Sequence, residues 1–273
     1  MALSDISLTA GMRNNLLSLS QTSKGITTTQ NRLSTGKKVN TPLDNPTNYF
    51  AAQNAVARAN DLDTRKDGMS EAVQMLSAAT AGIKGITSLI QSAQGVAAAA
   101  LGTADTVERS AYSATYSTLL SQISQLASDS GYKGTNFLTN GSQTVEFGQR
   151  TNAATLQVTG FDATSSGLSL GTVSSTDWTS TAQISTASGQ LESALSTLRT
   201  QSAALSSNLS VVTTRQDFTD SMISTLTTGA DNLTLADMNQ EGANMLMLQT
   251  RQNLGISSLS MASQAAQAVL RLF

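Results

Sequence analysis

The sequence predicts a mainly α-helical protein, a long antiparallel coiled-coil helical rod with paired terminal helices and a small β-hairpin region at the far end. Charged residues make up only 12% and aromatic residues 4% of the 273 residues, whereas about a quarter of an ordinary globular domain is charged. Apolar residues recur at heptad spacing through most of the chain, as they do in helices that pack along narrow seams. Two short segments near the middle instead alternate apolar and polar residues, which is typical of strands.

The first helix is predicted over residues 1–35. Its apolar side, which we expect to serve in assembly, consists of Leu8, Met12, Leu16, Leu19, Ile26 and Leu33. Gly36 can take the left-handed conformation that often ends a helix, and Pro42 prevents the helix from continuing. Asn45 followed by Pro46 has the order of an N-cap and a first helical residue. We therefore expect a connector here between two helical bodies.

A second helix is predicted over about residues 46–101, and a third begins with Asp105 and Glu108 as a capping-box pair. Ser180 begins a fourth helix, and a joint at residues 229–232 separates it from the terminal helix. Between the third and fourth helices, the segments TVEFG and TLQVTGF are predicted to be short strands. Helices with matching seams pack antiparallel, so the two ends of the chain should meet.

Three glycines, Gly82, Gly85 and Gly95, interrupt the pattern of the second helix. Each weakens a helix by up to about 1 kcal/mol. A position without a side chain also lets a neighbouring element approach closely, and we expect such an approach at these glycines.

The terminal helix, predicted over residues 233–273, is more apolar than one packing surface requires. Residues 245–248 are four consecutive apolar side chains, which point all round a helix and so favour a helix that is surrounded. Few elements of the same chain can surround a helix at its very end, so we infer that other copies of the chain do. The residues predicted to form this assembly interface are Met238, Met245, Leu248, Leu259, Ala262, Ala266, Val269 and Phe273.

Composition argues against several kinds of functional site. The chain has no cysteine and no histidine, which excludes disulfides, thiol chemistry, zinc sites and histidine-based triads. Asp61, Asp63 and Asp67 superficially resemble a calcium loop, but Lys66 stands where that loop needs glycine. We predict no catalytic, cofactor-binding or metal residue, and we expect Trp178 to serve local packing.

Charge and hydropathy also argue against two kinds of partner. The net charge of −2 is close to zero for this length, which gives no reason to expect nucleic acid or an anionic membrane as a partner and leaves self-association unopposed. The chain contains no run of 18 apolar residues, so we expect no membrane insertion. The first residues, MALSDISLTAGMRNN, lack the basic head and apolar middle of a cleaved signal peptide.

Motifs at both ends resemble those of bacterial flagellins. Near the start, NRLSTGKKVNTPLDNP resembles the family's Arg-Leu-Ser-Ser-Gly motif and its continuation. Near the end, LADMNQEGANMLMLQTRQNLGISSLSMASQAAQAVLRLF resembles its Leu-Gln and Gln-Gln-Leu-Gly segments and apolar tail. Residues 131–138 resemble its Thr-x-Phe-Asn-Gly turn, with Asn136 and Phe137 transposed. The order of these motifs and their distances from the termini are similar to those of the family.

The resemblance implies an organisation in three parts. Residues 1–40 and 233–273 would form a terminal-helix coiled-coil domain that builds the inner tube of a filament. Residues 41–139 and 183–232 would form a helical rod domain, which leaves only 140–182 as a small β or irregular outer region in place of the family's large variable domain. The implied spoke, or hinge, residues are Gly36, Pro42 and Pro46.

The resemblance also implies function, partners and location. It implies a structural subunit that self-assembles into a helical tube for motility, located in the extracellular filament. The implied partners are other copies of the chain, the hook-junction and cap proteins, an export chaperone and the flagellar export apparatus. Export would follow the flagellar type III route without a cleaved signal peptide.

One stretch departs from the family in a way that affects recognition by the host receptor that detects flagellin. The family's patch is Gln-Arg-Val-Arg-Glu-Leu-Ala-Val-Gln, and the corresponding residues here begin at Gln91. Ser92, Gln94 and Gly95 replace its two arginines and its glutamate, so charge-assisted hydrogen bonds cannot form. We therefore expect poor receptor activation.

Two alternatives remain open at this stage. A hook–filament junction protein shares the terminal helices of flagellins but would not form long filaments by itself. A coiled-coil signalling rod of the chemoreceptor type has a similar richness in alanine, serine and glutamine, but would need membrane spans or an input domain. An enzyme is the least favoured class, because no cluster of catalytic residues is visible.

Overall fold

The computed structural model describes residues 10–148, 154–171 and 178–270, apart from the side chains of the last two residues. In these ranges the chain forms five helices and two strands: α1 (Ala10–Thr35), α2 (Pro46–Gly102), α3 (Thr106–Asp129), β1 (Ser142–Glu146), β2 (Thr155–Thr159), α4 (Thr181–Thr234) and α5 (Met238–Leu270). β1 and β2 pair in an antiparallel sheet. The prediction of a mainly α protein with one small β element is therefore confirmed.

The predicted boundaries between α1 and α2 are confirmed by their capping geometry. Gly36 has a φ of +70°, and its amide donates to the Arg32 carbonyl at 2.8 Å, which closes the last turn of α1. Pro46 is the first residue of α2. The Asn45 side chain caps that helix by accepting from the Asn48 amide at 3.0 Å.

Only one half of the capping box predicted at the start of α3 is present in the structure. Asp105 is the N-cap, and its carboxylate accepts from the Val107 amide at 2.8 Å. Glu108 does not complete the box, because its carboxylate accepts from the Thr103 hydroxyl at 2.6 Å. The Asp105 amide donates to the same hydroxyl at 3.1 Å. A hydroxyl both donates and accepts, so Thr103 satisfies the two groups that were expected to pair directly.

The predicted joint at residues 229–232 is wrong, because α4 continues through it to Thr234. A Cβ at Gly229 would meet nothing within 4 Å, so this glycine weakens the helix without ending it. The break lies at residues 235–237. There the Ala236 amide donates to the Gly36 carbonyl at 2.9 Å, and the Asp237 carboxylate caps α5 by accepting from the Asn239 amide at 2.9 Å.

The chain divides into two compact units. The first comprises Met1–Ala57 and Leu226–Phe273, and the second comprises Arg58–Thr225. These boundaries differ from those of the three-part organisation that the resemblance implied, and that organisation remains a prediction.

The second unit has one hydrophobic core, to which α2, α3, α4 and the two strands all contribute. Ser70 on α2 accepts a hydrogen bond from Gln216 on α4 at 3.0 Å, and Lys66 pairs with Asp220 at 2.6 Å, so the two helices run antiparallel. The largest fully buried side chains of this core are Met69, Leu76, Ile86, Ile90, Tyr116, Ile123, Phe137, Leu138, Ile184, Leu191, Leu198 and Leu205. Most are the heptad residues of the three helices, so the predicted seams form the core.

The strands and Trp178 are held against this core. Val145 of β1 and Val158 of β2 are buried, and Arg65 of α2 pairs with Glu146 at 2.5 Å. The Trp178 ring lies 5.0 Å from the Tyr116 ring between centroids and is 2% exposed. Trp178 thus packs locally, as predicted.

Tyr116 gives a stability prediction. Its hydroxyl is buried and has no hydrogen-bond partner among the described residues, and burial raises the pKa of Tyr116 from 10.0 to about 12. Because a buried, unpaired hydroxyl is unfavourable, we expect Tyr116→Phe to leave the free energy of unfolding unchanged or to raise it by about 1 kcal/mol. Urea denaturation followed by Trp178 fluorescence measures this.

The raised pKa adds a dependence on pH. Between its ordinary value of 10.0 and about 12, the tyrosine ionises in the unfolded chain but not in the folded one, so stability falls as pH rises through this window. The fall should be smaller in Tyr116→Phe. Tyr116→Ala is the control for lost packing and should cost about 3–5 kcal/mol. A loss of more than about 1 kcal/mol in the phenylalanine variant would show that the hydroxyl has a partner.

Candidate assembly interface

The helices near the two ends of the chain, α1 and α5, pack against each other within the first unit. Four contacts follow one another along α1: Asn15 with Ser258, Leu19 with Gly255, Gly25 with Leu248 and Arg32 with Glu241. The partner's number falls as the number on α1 rises, so the pair is antiparallel. This confirms that the terminal helices are paired, as predicted.

Small residues let the two helices approach closely. A Cβ at Gly255 would lie 3.3 Å from the Leu19 Cδ1, and a Cβ at Gly25 would lie 3.4 Å from both Cδ atoms of Leu248. Each helix thus supplies a glycine that receives a leucine from the other. The two helices therefore approach closely at these two positions.

An ion pair joins the end of α1 to the start of α5. Arg32 donates to Glu241 at 3.0 Å, and the Glu241 side chain is only 10% exposed. The second carboxylate oxygen of Glu241 is buried without a hydrogen-bond partner among the described residues. Glu241 lies in the first turn of α5, where the positive end of the helix dipole favours a negative charge. The pair fixes the register of the two helices next to the connector.

Most of the sequence-predicted assembly residues lie along this seam. Met12 is buried at 8% exposure, and those that are half-buried are Leu19, Ile26, Leu33, Met245, Leu248, Leu259, Ala262 and Ala266. Leu16 and Met238 are exposed at 39% and 47%. Leu8, Phe273 and the side chain of Val269 lie outside the described residues. The heptad register therefore describes mainly a contact within the chain, and a role of these residues in assembly remains a prediction.

A second apolar surface on α5 was not named in the prediction. Its members are Leu246 (67% exposed), Met247 (46%), Leu254 (65%) and Met261 (62%). At about 100° per residue, Leu246, Leu254 and Met261 fall within about 80° of one another and at least about 120° away from Leu248. We call these four residues the outer face of α5. The signal for it was the apolar run at 245–248, but following a single heptad register selected the seam instead.

The connector between α1 and α2 is tightly hydrogen bonded. The Asp44 carboxylate accepts from the amides of Thr41 at 2.9 Å and Asn40 at 3.0 Å, and these bonds lower the pKa of Asp44 below its ordinary value. The Lys38 amide donates to the Thr234 carbonyl at 2.7 Å. The predicted spoke residues Gly36, Pro42 and Pro46 therefore begin, interrupt and end an ordered turn rather than a loose linker. Its tip, Leu43, is 95% exposed.

The residues that the resemblance aligns with the family's receptor patch lie on α2. Gln91 and Gly95 are exposed and Gln94 is half-buried. A Cβ at Gly95 would meet nothing within 4 Å. The positions are therefore accessible in the single chain, and the side chains there carry no charge.

Residues 10–148, 154–171 and 178–270 contain neither a membrane-spanning helix nor a metal-binding cluster. None of the helices in these ranges has a stretch long and apolar enough to cross a membrane. The same ranges contain no group of three or more acidic side chains that could hold a metal ion. Asp61, Asp63 and Asp67 lie within the continuous helix α2 and not in a loop.

Comparison with known proteins decides the family. Residues 6–144 match the family model described as the bacterial flagellin N-terminal helical region. The chain belongs to the flagellin family. It is similar to the flagellin FljO of Caulobacter vibrioides, with 30% identity over the full length of both chains. It is also similar to a flagellin of Brucella melitensis, with 27% identity over 94% of this chain and 95% of that protein.

This flagellin is of the short type, since it spans the whole length of the Caulobacter relative. A crystal structure of Bacillus cereus flagellin is similar to 56% of this chain and 88% of that chain, with a TM-score of 0.48 and 17% identity, which is too distant to add support. As a member of its family, the protein is a structural subunit of the extracellular flagellar filament and self-assembles for motility. The junction protein and the signalling rod are not favoured.

Proposed function

We propose that this flagellin builds the filament through the outer face of α5 together with the seam residues that α1 leaves half-buried. The observation that carries the proposal is that three large apolar side chains, Leu246, Leu254 and Met261, are each more than 60% exposed on a helix whose opposite side is already paired. Exposed apolar side chains grouped in this way mark interaction sites. Burying the three would contribute about 1.5–3 kcal/mol each.

The pairing of α1 with α5 supports the three-part organisation that the resemblance implied. The terminal-helix domain, residues 1–40 and 233–273, forms the inner tube, residues 41–139 and 183–232 form the rod, and 140–182 form the small outer region. The connector at Gly36, Pro42 and Pro46 then acts as a spoke that its own hydrogen bonds keep rigid. Its hydrogen bonds hold the turn in one conformation.

The proposed partners besides other copies of the chain are the hook-junction and cap proteins, an export chaperone and the flagellar export apparatus. Export proceeds without a cleaved signal peptide by the flagellar type III route. The absence of cysteine suits passage as an unfolded thread, because no disulfide can lock the chain before export. The protein acts as a building block and carries out no catalysis.

The test is polymerisation of the purified chain alone. Above a critical concentration, the protein should form filaments many subunits long, visible by negative-stain electron microscopy, because its own apolar surface drives association. Short capped particles or monomers at every concentration would contradict the proposal and favour a junction role.

The altered receptor patch gives a second prediction. Monomer of this flagellin should activate reporter cells that carry the host flagellin receptor far less than a flagellin with the charged patch, by at least about tenfold, since two or more charge-assisted hydrogen bonds of about 1.5–3 kcal/mol each are lost. The matched variant Ser92→Arg/Gln94→Arg/Gly95→Glu restores those charges. A full response from the unaltered chain would contradict the prediction.

A further inference from the structure

A groove of about 550 Å³ lies between α2 and α4 of the second unit. Its floor is apolar, since it includes Ile83 at 4% and Leu198 at 1% exposure. Lys84 and Arg199 are exposed along its walls. The remaining lining residues are Thr80, Ala81, Thr87, Ser202, Ala203 and Ser206. The groove thus combines an apolar base with two positive charges.

These two charges have no counter-ion within the part of the chain that the structure describes. The ion pairs found there use Arg32, Arg65, Lys66 and Lys133. Two of the hydroxyls donate back to their own helix, from Thr80 to the Leu76 carbonyl and from Thr87 to the Ile83 carbonyl, both at 2.8 Å. The chemistry of the groove therefore fits an occupant with an apolar tip and nearby carboxylates.

The same unit presents such a feature at the corner between α2 and α3. Val107 is 75% exposed and Leu101 is 38% exposed. The carboxylates of Asp105 and Glu108 stand beside them, both residues being exposed, and neither takes part in an ion pair among the described residues. The corner is thus an apolar tip with two negative charges.

Hydrogen bonds hold this corner in one conformation. The Arg109 Nε donates to the carbonyls of Thr103 at 2.8 Å and Ala100 at 3.3 Å. The Thr103 hydroxyl donates to Glu108 at 2.6 Å, and Asp105 caps α3 at Val107. A surface that is ordered before binding loses little conformational entropy when it docks, so the corner is suited to act as a rigid insert.

We infer that the α2–α3 corner of one copy docks into the α2–α4 groove of a second copy in the filament. The inference rests on the proposed assembly and names a contact outside the terminal helices. Because the corner and the groove are different surfaces, the contact is head-to-tail, and a contact of this kind builds an open helical assembly when its rotation does not close a ring. At 1.5 Å per residue, Lys84 and Gly102 are about 27 Å apart along α2, so docked copies are offset by about that distance along this helix.

Cysteine cross-linking tests the contact directly, since the chain has no cysteine of its own. Val107→Cys/Ala203→Cys places one thiol on the corner and one in the groove. Mild oxidation of its filaments should give a ladder of covalent multimers on a denaturing gel, because a disulfide needs Cα atoms within about 7 Å. Val107→Cys/Ser210→Cys is the matched control, with the second thiol on exposed Ser210, outside the groove, and should give no ladder.

Charge reversal tests the electrostatics. Lys84→Glu/Arg199→Glu should raise the critical concentration at least about tenfold. Ala104→Lys/Glu108→Lys should do the same, because it reverses the charge of Glu108 and adds a lysine at exposed Ala104 beside Asp105, which is kept as the cap of α3. Circular dichroism should be unchanged in both. Combining all four substitutions in one chain should bring it back to within about threefold of the unaltered protein.

The outcomes separate the two proposals. Filaments of the unaltered chain, together with cysteine variants that give no ladder or charge variants with an unchanged critical concentration, would overturn this contact and leave the assembly through α5 standing. Failure of the unaltered chain to polymerise would overturn both.

Discussion

Leu246→Asp/Leu254→Asp should abolish filaments at concentrations at least about 100-fold above the critical concentration of the unaltered protein. Both leucines belong to the outer face of α5 and are 67% and 65% exposed in the single chain. Each loses about 1.5–3 kcal/mol of apolar burial in the filament and places an unpaired charge in the interface, which is unfavourable. Since about 1.4 kcal/mol corresponds to a factor of ten, a loss of two leucines exceeds 100-fold. Sedimentation of polymer against total concentration measures it.

The single chain should be unaffected by these substitutions, because neither leucine faces α1. Circular dichroism and hydrogen exchange of α1 and α5 should match those of the unaltered protein. The matched control is Gln249→Asp/Gln267→Asp, which adds the same charge at exposed polar positions of α5 at least about 60° away from the outer face, and should change the critical concentration less than about threefold. Normal filaments from the leucine variant would show that the outer face stays exposed to solvent in the filament.

Leu248→Asp is the less informative test of the interface. Leu248 is half-buried, and its methyl groups lie against Gly25 of α1. A charge there weakens the helix pair within the chain as well as any contact between chains. A loss of filaments would therefore not distinguish the two causes, which is why the outer face is the better target.

Gly82→Ala should destabilise the second unit by about 1–3 kcal/mol, the usual cost of overpacking a core. A Cβ there would lie 2.2 Å from the Ser130 Oγ and 2.6 Å from the Leu138 Cδ1. Leu138 is fully buried, and the Ser130 hydroxyl is bound to the Leu126 carbonyl at 2.6 Å, so neither neighbour can move away cheaply. The higher helix propensity of alanine, worth about 1 kcal/mol, offsets only part of the clash.

Gly95→Ala is the matched substitution on the same helix and should have the opposite sign. A Cβ at Gly95 would meet nothing within 4 Å, so the variant gains about 0.5–1 kcal/mol from helix propensity alone. Urea denaturation followed by the fluorescence of Trp178, which is buried in the second unit, measures both. Equal effects of the two substitutions would contradict the packing assigned to Gly82.

The three glycines of α2 differ in whether the close approach predicted from the sequence occurs. The expectation that a neighbour approaches closely is correct at Gly82 and at Gly85, where a Cβ would lie 2.8 Å from Leu126. It is wrong at Gly95, which faces open space. The three positions look alike in the sequence because glycine spacing does not show which side of a helix its neighbour covers. Gly82 and Gly85 face the residues that pack on α2, whereas Gly95 is on its exposed side.

The candidate assembly interface likewise has some features that the sequence determines and others that only the tertiary structure decides. The sequence by itself determined the helices, the caps at Gly36 and Asn45, the pairing of the chain ends and the resemblance to the family, because periodicity and capping are local properties that a few adjacent residues encode. Only the tertiary structure decided that the heptad residues of α5 meet α1, that Leu246, Leu254 and Met261 remain exposed, and that the break before α5 lies at residues 235–237. Those outcomes depend on contacts between residues more than 200 positions apart, such as Arg32 with Glu241, and on which side of an apolar helix its partner covers first.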